Sequence, residues 1–149
     1  GMFVAKLNFV KNEEGAKVKI VSVGEIFELE FLSGVGKIEE PTDIVSFSVL
    51  CCKKLLDDSL DKDIIAEIGG KTKVVISIAR GFSLLIEQPN GEAGDLLVNG
   101  RTNIFYALNQ KGVLRTIRVT WFNGWWIEAY SIDDPRFWRK GTRVFYEVP

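Results

Sequence analysis

The sequence predicts an α+β fold in which a predominantly antiparallel β-sheet, curved or partly open like a barrel, carries one main helix and one short helix. Three observations support this fold class. An Asn-Gly dipeptide separates two runs rich in β-branched and aromatic residues within Val113–Ile132. Apolar and polar residues alternate through much of residues 3–31. From Thr42 onwards the apolar residues instead follow a helical period.

The opening third of the chain is predicted to form strands. Residues 3–10, 17–23 and 27–31 each alternate apolar with polar side chains, which is typical of half-buried strands. We expect these three segments to form an antiparallel meander. The stretch Ser33–Pro41 contains two glycines and a proline, so it should be irregular.

The main helix is predicted over Thr42–Leu60. Thr42 and Asp43 offer N-caps, and the apolar residues that follow cover most of a helical wheel, as in a helix lying on a sheet. The run IVSFSVL also has strand composition, so a strand is the alternative in that part. A short helix is predicted over Lys62–Ile68 and should end at Gly69-Gly70.

Strands are expected again in the second half. Lys73–Glu87 alternates as one bent strand or two strands, with Gly81 at a bulge or turn. Shorter strands are predicted over Leu96–Val98 and Thr102–Leu108, and a closing strand over Thr142–Val148.

The hairpin within Val113–Ile132 is the clearest local signal. Asn123-Gly124 suits a two-residue type I′ turn, because both central residues of that turn require a positive φ. Such a turn would place Trp121 opposite Trp126. The face expected to join the core then holds Ile117, Val119, Trp121, Trp126, Glu128, Tyr130 and Ile132. The mixed face holds Thr116, Arg118, Thr120, Phe122, Trp125, Ile127, Ala129 and Ser131.

Length and composition predict one folded, cytoplasmic domain over residues 2–149. The chain has 149 residues, of which 46% are hydrophobic and 26% charged. Gly1 before Met2 is typical of a residue left by tag cleavage. No apolar run approaches the ~20 residues of a membrane-spanning helix. The adjacent Cys51 and Cys52 are expected to be reduced thiols, since neighbouring cysteines bridge only with strain.

The absence of histidine excludes several kinds of catalytic site. A Ser-His-Asp or Cys-His arrangement cannot be built from this chain, and two cysteines alone cannot make a four-ligand structural zinc site. Gly34-Val35-Gly36 lacks the lysine of a P-loop and the third glycine of a dinucleotide site. We therefore expect no metal and no cofactor, and we favour a non-enzymatic protein.

A binding role is predicted from the C-terminal third, where aromatic residues lie among cations. Residues 1–99 carry a net charge of −5 and residues 100–149 a net charge of +4. The residues chosen as candidates for contacting a ligand or partner are Arg118, Phe122, Trp125, Arg136, Trp138 and Arg139. A protein partner or self-association is the first hypothesis, because exposed aromatic patches commonly mark partner surfaces. Single-stranded nucleic acid is the second, because bases stack on aromatic rings while cations hold phosphates. The alternative is that the aromatic side chains only fill the core.

A third hypothesis is a carboxylate-based hydrolase. Glu128 falls on the face expected to be apolar, where burial would raise the pKa of its carboxyl group and suit it to act as a general acid. Asp133 or Asp134 would supply the second carboxylate. The structural alternative is that Glu128 pairs with an arginine, and that Asp133 or Asp134 caps the turn at Pro135.

Overall fold

A computed structural model describes residues 4–8, 18–32, 37–41 and 49–149 of the chain. Eight strands and four helices lie within these residues. The strands are β1 (Val4–Asn8), β2 (Ile20–Val23), β3 (Lys37–Pro41), β4 (Val49–Lys54), β5 (Asn103–Leu108), β6 (Leu114–Trp121), β7 (Trp125–Ser131) and β8 (Arg143–Val148). The helices are α1 (Glu25–Phe31), α2 (Asp61–Ile68), α3 (Lys71–Val74) and α4 (Ile78–Glu87).

Six of the strands form one mixed sheet in the order β2-β7-β6-β5-β8-β4. Its pairs are antiparallel except β2 with β7 and β5 with β8, which are parallel. Strands β1 and β3 pair separately and antiparallel. The α+β class is confirmed, and most strand pairs are antiparallel. The sheet is nevertheless open, with β2 and β4 at its edges, and the described residues contain four helices rather than one main and one short helix.

The two faces of the six-stranded sheet are covered differently. Helices α1 and α4 pack on the first face, where Phe27 and Phe82 join a core with the β6 residue Ile117. On the second face, α2 contributes Ile64 to a smaller core that also contains Trp138. No helix within the described residues combines the length and the apolar character needed to cross a membrane.

The hairpin register differs from the prediction by one residue. Strands β6 and β7 are joined by three residues, Phe122 to Gly124, and Trp121 is paired with Trp125 rather than with Trp126. Asn123 and Gly124 do adopt the expected positive φ values, 57° and 142°. Because side chains alternate along a strand, this shift moves every β7 side chain to the other face. The predicted face assignment of residues 125–131 is therefore wrong.

The predicted meander of the opening third is also wrong. Strand β1 lies where a strand was expected, but β2 is parallel to β7, and residues 25–31 form α1. Phe27 and Phe31 are four residues apart, so a helix brings their rings together, 5.1 Å between centroids. A spacing of four suits both a strand and a helix, and packing on the sheet favours the helix. The stretch expected to be irregular contains β3, and residues 33–36 lie outside the described residues.

Two further predictions are wrong in opposite directions, one segment being a strand instead of a helix and another being helical instead of a strand. The predicted main helix over 42–60 is contradicted by β4, whereas residues 42–48 lie outside the described residues. The strands predicted over 73–87 are α3 and α4. In α4 the buried residues Ile78, Phe82 and Leu85 recur at helical spacing, and the Ser77 hydroxyl accepts a capping hydrogen bond from the Arg80 N–H.

Four other predicted elements are confirmed within a residue at each boundary. The short helix α2 ends at Gly69, whose φ of 127° suits a helix C-cap glycine. Strands β5, β6 and β8 also lie where strands were predicted. The predicted strand over Leu96–Val98 is instead an irregular segment. The Gln88 side chain accepts from the Leu96 N–H and donates to the Leu96 carbonyl oxygen, and the Asn103 side chain accepts from the Leu97 N–H.

The close approach of α4 to the sheet leads to a testable stability prediction. A methyl group on Gly81 would lie 2.6 Å from Cε2 of the buried Phe105 ring. Gly81→Ala should therefore destabilise the protein by about 1–2 kcal/mol, because overpacking outweighs the better helix propensity of alanine. Urea denaturation measures this. A more stable variant would mean that α4 does not contact Phe105 through Gly81.

Candidate binding surface on the sheet

Part of the second sheet face is open to solvent beyond α2. We call this surface the arginine–aromatic face; it consists of Arg118, Phe122, Trp126, Glu128, Tyr130 and Arg136. Strand alternation places Trp126, Glu128 and Tyr130 together on β7. On β6 the residues opposite them are Thr120, Arg118 and Thr116.

The centre of this face is an ion pair that spans two strands. Arg118 and Glu128 are direct cross-strand partners, and Arg118 Nη1 lies 3.8 Å from Glu128 Oε1. The Tyr130 hydroxyl donates a hydrogen bond to the other Glu128 oxygen. Arg118 Nε is also 3.4 Å from the Thr102 hydroxyl. These contacts hold both charged groups in fixed positions while each side chain stays about one-third exposed.

A second arginine lies on top of Tyr130. The guanidinium carbon of Arg136 is 3.9 Å from the Tyr130 ring centroid, a cation–π contact. Arg136 Nη2 also lies 3.4 Å from Asp134 Oδ2. Tyr130 in turn meets Trp138 edge-on, with 5.8 Å between ring centroids. The connector between β7 and β8 is thereby held against the sheet.

Two large aromatic side chains form the exposed end of this face. Phe122 is 67% exposed at the hairpin loop, and Trp126 is 37% exposed. The Trp126 indole N–H donates to the Phe122 carbonyl oxygen at 2.9 Å, which fixes the indole against the loop. An indole fixed in this way can contact another surface with little loss of side-chain entropy.

Beside this face lies a buried carboxylate that sequence analysis did not identify. Asp61, the first residue of α2, is 1% exposed. Its Oδ1 accepts hydrogen bonds from the Tyr106 hydroxyl (2.7 Å), the Thr116 hydroxyl (2.9 Å) and the Trp138 indole N–H (2.7 Å). Its Oδ2 is buried too, and no other described residue forms a hydrogen bond with it. Burial raises the pKa of the Asp61 carboxyl above its ordinary value, against the opposing effect of these three donors.

The predicted binding residues are placed as follows. Arg118, Phe122 and Arg136 lie on the arginine–aromatic face, and Arg139 is exposed on the connector. Trp125 is fully buried on the first face, where its indole N–H donates to the Gln88 carbonyl oxygen at 2.9 Å. Trp138 is buried by its contacts with Tyr130 and Asp61. Neither Trp125 nor Trp138 can therefore contact a molecule from solvent.

The three predicted acidic residues are placed differently. Glu128 lies beside Arg118, not among apolar side chains, because of the register shift. Asp134 is paired with Arg136, and the exposed Asp133 lies at the end of β7. Of these three residues, Glu128 and Asp134 are thus each engaged by an arginine. Within the described residues, no group of three or more carboxylate or thiol side chains could hold a metal ion.

Comparison of the chain with protein-family models, with characterised proteins and with solved structures finds no match.

Proposed function

We propose that this chain is a non-enzymatic interaction module that associates with a second copy of itself through the arginine–aromatic face. The observation that carries the proposal is the exposed pair Phe122 and Trp126, placed next to Arg118 on a sheet face that α2 leaves open. Tryptophan, tyrosine, phenylalanine and arginine are the residue types enriched in protein interfaces.

The charges of this face favour a second copy over a polyanion. Each arginine is paired with a carboxylate, Arg118 with Glu128 and Arg136 with the adjoining Asp134, so the face together with Asp134 carries no net charge. A phosphate backbone would have to compete with those carboxylates for the cations. A surface that carries both signs side by side is complementary to itself, since a two-fold axis can bring the arginine of one copy to the glutamate of the other.

Self-association is tested by sedimentation velocity over chain concentrations from about 1 µM to about 1 mM, the range in which weak to moderate complexes dissociate. The mass should rise from the 16.7 kDa of one chain towards twice that value. Phe122→Ala/Trp126→Ala should weaken association by at least about tenfold, because aromatic residues commonly dominate interface energies. A wild-type chain that stays monomeric throughout the range contradicts the proposal.

Leu29→Ala is the matched control. Leu29 is 71% exposed, but it lies on α1, which packs on the first face of the sheet. The Leu29→Ala substitution removes a comparable exposed apolar side chain from a different surface, so the dissociation constant for self-association should not change. An equal loss of association in Leu29→Ala would point to non-specific apolar contact.

Nucleic-acid binding is distinguished by fluorescence. Oligo(dT) added at low salt should leave the tryptophan emission unchanged. Quenching that weakens with added salt and disappears in Trp126→Ala would instead indicate a single-stranded nucleic-acid surface.

A further inference from the structure

A separate groove of about 560 Å³ lies at the end of the second sheet face, beyond Tyr106 and Thr116. It shares no residue with the arginine–aromatic face. Its floor crosses three neighbouring strands, with Leu108 on β5, Leu114 on β6 and Ile132 just after β7. Strands lie about 4.8 Å apart, so this floor is on the order of 10 Å wide.

The floor of the groove is apolar and open. Leu108 and Val113 are 48% and 45% exposed, and both line the groove, so they present apolar surface to whatever enters it. Val75 adds an apolar wall next to β5, where it bridges to Tyr106. A volume of this size, mostly apolar and with a few polar groups, is typical of small-molecule sites.

The rims of the groove carry opposite charges. Lys71 and Thr72, at the start of α3, stand on the β5 side, and Asp133 stands on the β7 side. The ion pairs of the described residues leave Lys71 without a carboxylate partner. Arg115 also lines the groove, but Glu30 engages its guanidinium at 2.8 Å, and that contact lowers the pKa of the Glu30 carboxyl.

We infer that the groove binds an amphipathic carboxylate, a small organic acid with an apolar chain. The apolar chain lies across Leu108, Leu114 and Ile132. The carboxylate lies at Lys71, whose ammonium group and the neighbouring Thr72 hydroxyl supply hydrogen-bond donors to the negative charge. Asp133 sets the orientation of the ligand in the groove, since its negative charge repels the ligand carboxylate from the β7 rim. The site is independent of the self-association proposed above, because the two surfaces have no residue in common.

Three ligands with the same eight-carbon chain test this inference on the intact protein: octanoate, octan-1-ol and octylamine. Each is titrated into ¹⁵N-labelled protein below its micelle concentration and followed by two-dimensional NMR. Octanoate should bind most tightly and octylamine most weakly. The chemical-shift changes caused by octanoate should concentrate in residues 71–75, 108–114 and 131–133. The inference is overturned if octylamine binds more tightly than octanoate or if octanol binds as tightly as octanoate. It is also overturned if the shift changes caused by octanoate lie in other residues.

Variants separate the head-group contact from the apolar floor. Lys71→Met keeps the apolar stem but removes the charge, and should weaken octanoate about tenfold while leaving octanol unchanged. Lys62→Met removes a charge from exposed Lys62 on α2, outside the groove, and should leave both affinities unchanged. Leu108→Asp should abolish octanoate binding. Because Leu108 is half-exposed, this variant should still fold, which the dispersion of its spectrum verifies. Equal octanoate affinity in wild type and Lys71→Met would overturn the inference.

Discussion

Asp61→Ala is expected to destabilise the protein by about 3–5 kcal/mol, a large part of the stability of a typical domain. The substitution leaves three buried donors without an acceptor: the Tyr106 and Thr116 hydroxyls and the Trp138 indole N–H. Each unsatisfied buried donor costs about 1–3 kcal/mol. These donors come from β5, β6 and the connector before β8, so the loss should loosen α2 from the sheet. Urea denaturation followed by circular dichroism measures the effect.

Asp63→Ala is the control for this prediction. Asp63 lies in the same first turn of α2 but is exposed. It loses only a favourable interaction with the helix dipole, so it should destabilise the protein by less than about 1 kcal/mol. Equal effects of Asp61→Ala and Asp63→Ala would contradict a buried network at Asp61.

The Asp61 network also makes stability depend on pH. Burial raises the pKa of Asp61 in the folded state above its value in the unfolded chain. Its contribution to stability is therefore fully present below the unfolded pKa of about 3.9 and is lost as the pH rises through the folded pKa. Asp61→Asn keeps an acceptor at the Oδ1 position and cannot ionise. The stability of wild type minus that of Asp61→Asn should therefore fall as the pH rises. A difference that does not vary with pH would contradict the raised pKa.

Trp125→Ala is expected to destabilise the protein by about 3–5 kcal/mol, whereas Trp126→Ala should cost less than about 1 kcal/mol. The two residues are neighbours in sequence, but Trp125 is fully buried among α1, α4 and the sheet, and Trp126 is partly exposed on the opposite face. Trp125 also meets Trp121 edge-on, with 5.2 Å between ring centroids. Chemical denaturation of the two variants gives the comparison. Similar losses for both would contradict the burial difference.

The hairpin shows what local sequence can and cannot specify. The Asn123-Gly124 dipeptide correctly predicted a turn with two positive φ values. It did not give the length of the loop, which depends on distant contacts. Gly124 lies so close to Val21 of β2 that a side chain there would overlap it. Glu128 was the signal for the observed register. It lies on the same face of β7 as Trp126, and a charged residue there indicates that this face is exposed to solvent.

The helices α1 and α4 were missed for a different reason. Both contain short apolar runs in which a strand and a helix bury overlapping sets of residues. In α4, Phe82 and Leu84 fit an alternating pattern, but Ile78, Phe82 and Leu85 fit the helix and are the residues that pack on the sheet. Whether such a segment forms a helix or a strand is therefore decided by the elements that it packs against. Strands β5, β6 and β8 were predictable because β-branched and aromatic residues are concentrated in them.

The candidate site was predictable in part. Arg118, Phe122 and Arg136 were chosen as binding residues from the aromatic and basic composition of the C-terminal third. Glu128 was chosen as a catalytic candidate on a face expected to be apolar, and it lies beside Arg118 instead. Asp61 gave no local signal, because its partners Tyr106, Thr116 and Trp138 follow it by 45, 55 and 77 residues. Contacts at such separations depend on strand order, which residue patterns do not reveal.

The solvent accessibility of the four tryptophans tests the β6–β7 register most directly, because the register decides which indole is exposed. Protein labelled with fluorotryptophan gives four ¹⁹F signals, which Trp→Phe variants assign. With a soluble paramagnetic reagent and at a dilution that keeps the chain monomeric, Trp126 should broaden most, while Trp125 and Trp138 should stay sharp. Stronger broadening of Trp125 than of Trp126 would contradict the three-residue connection and the arginine–aromatic face that depends on it.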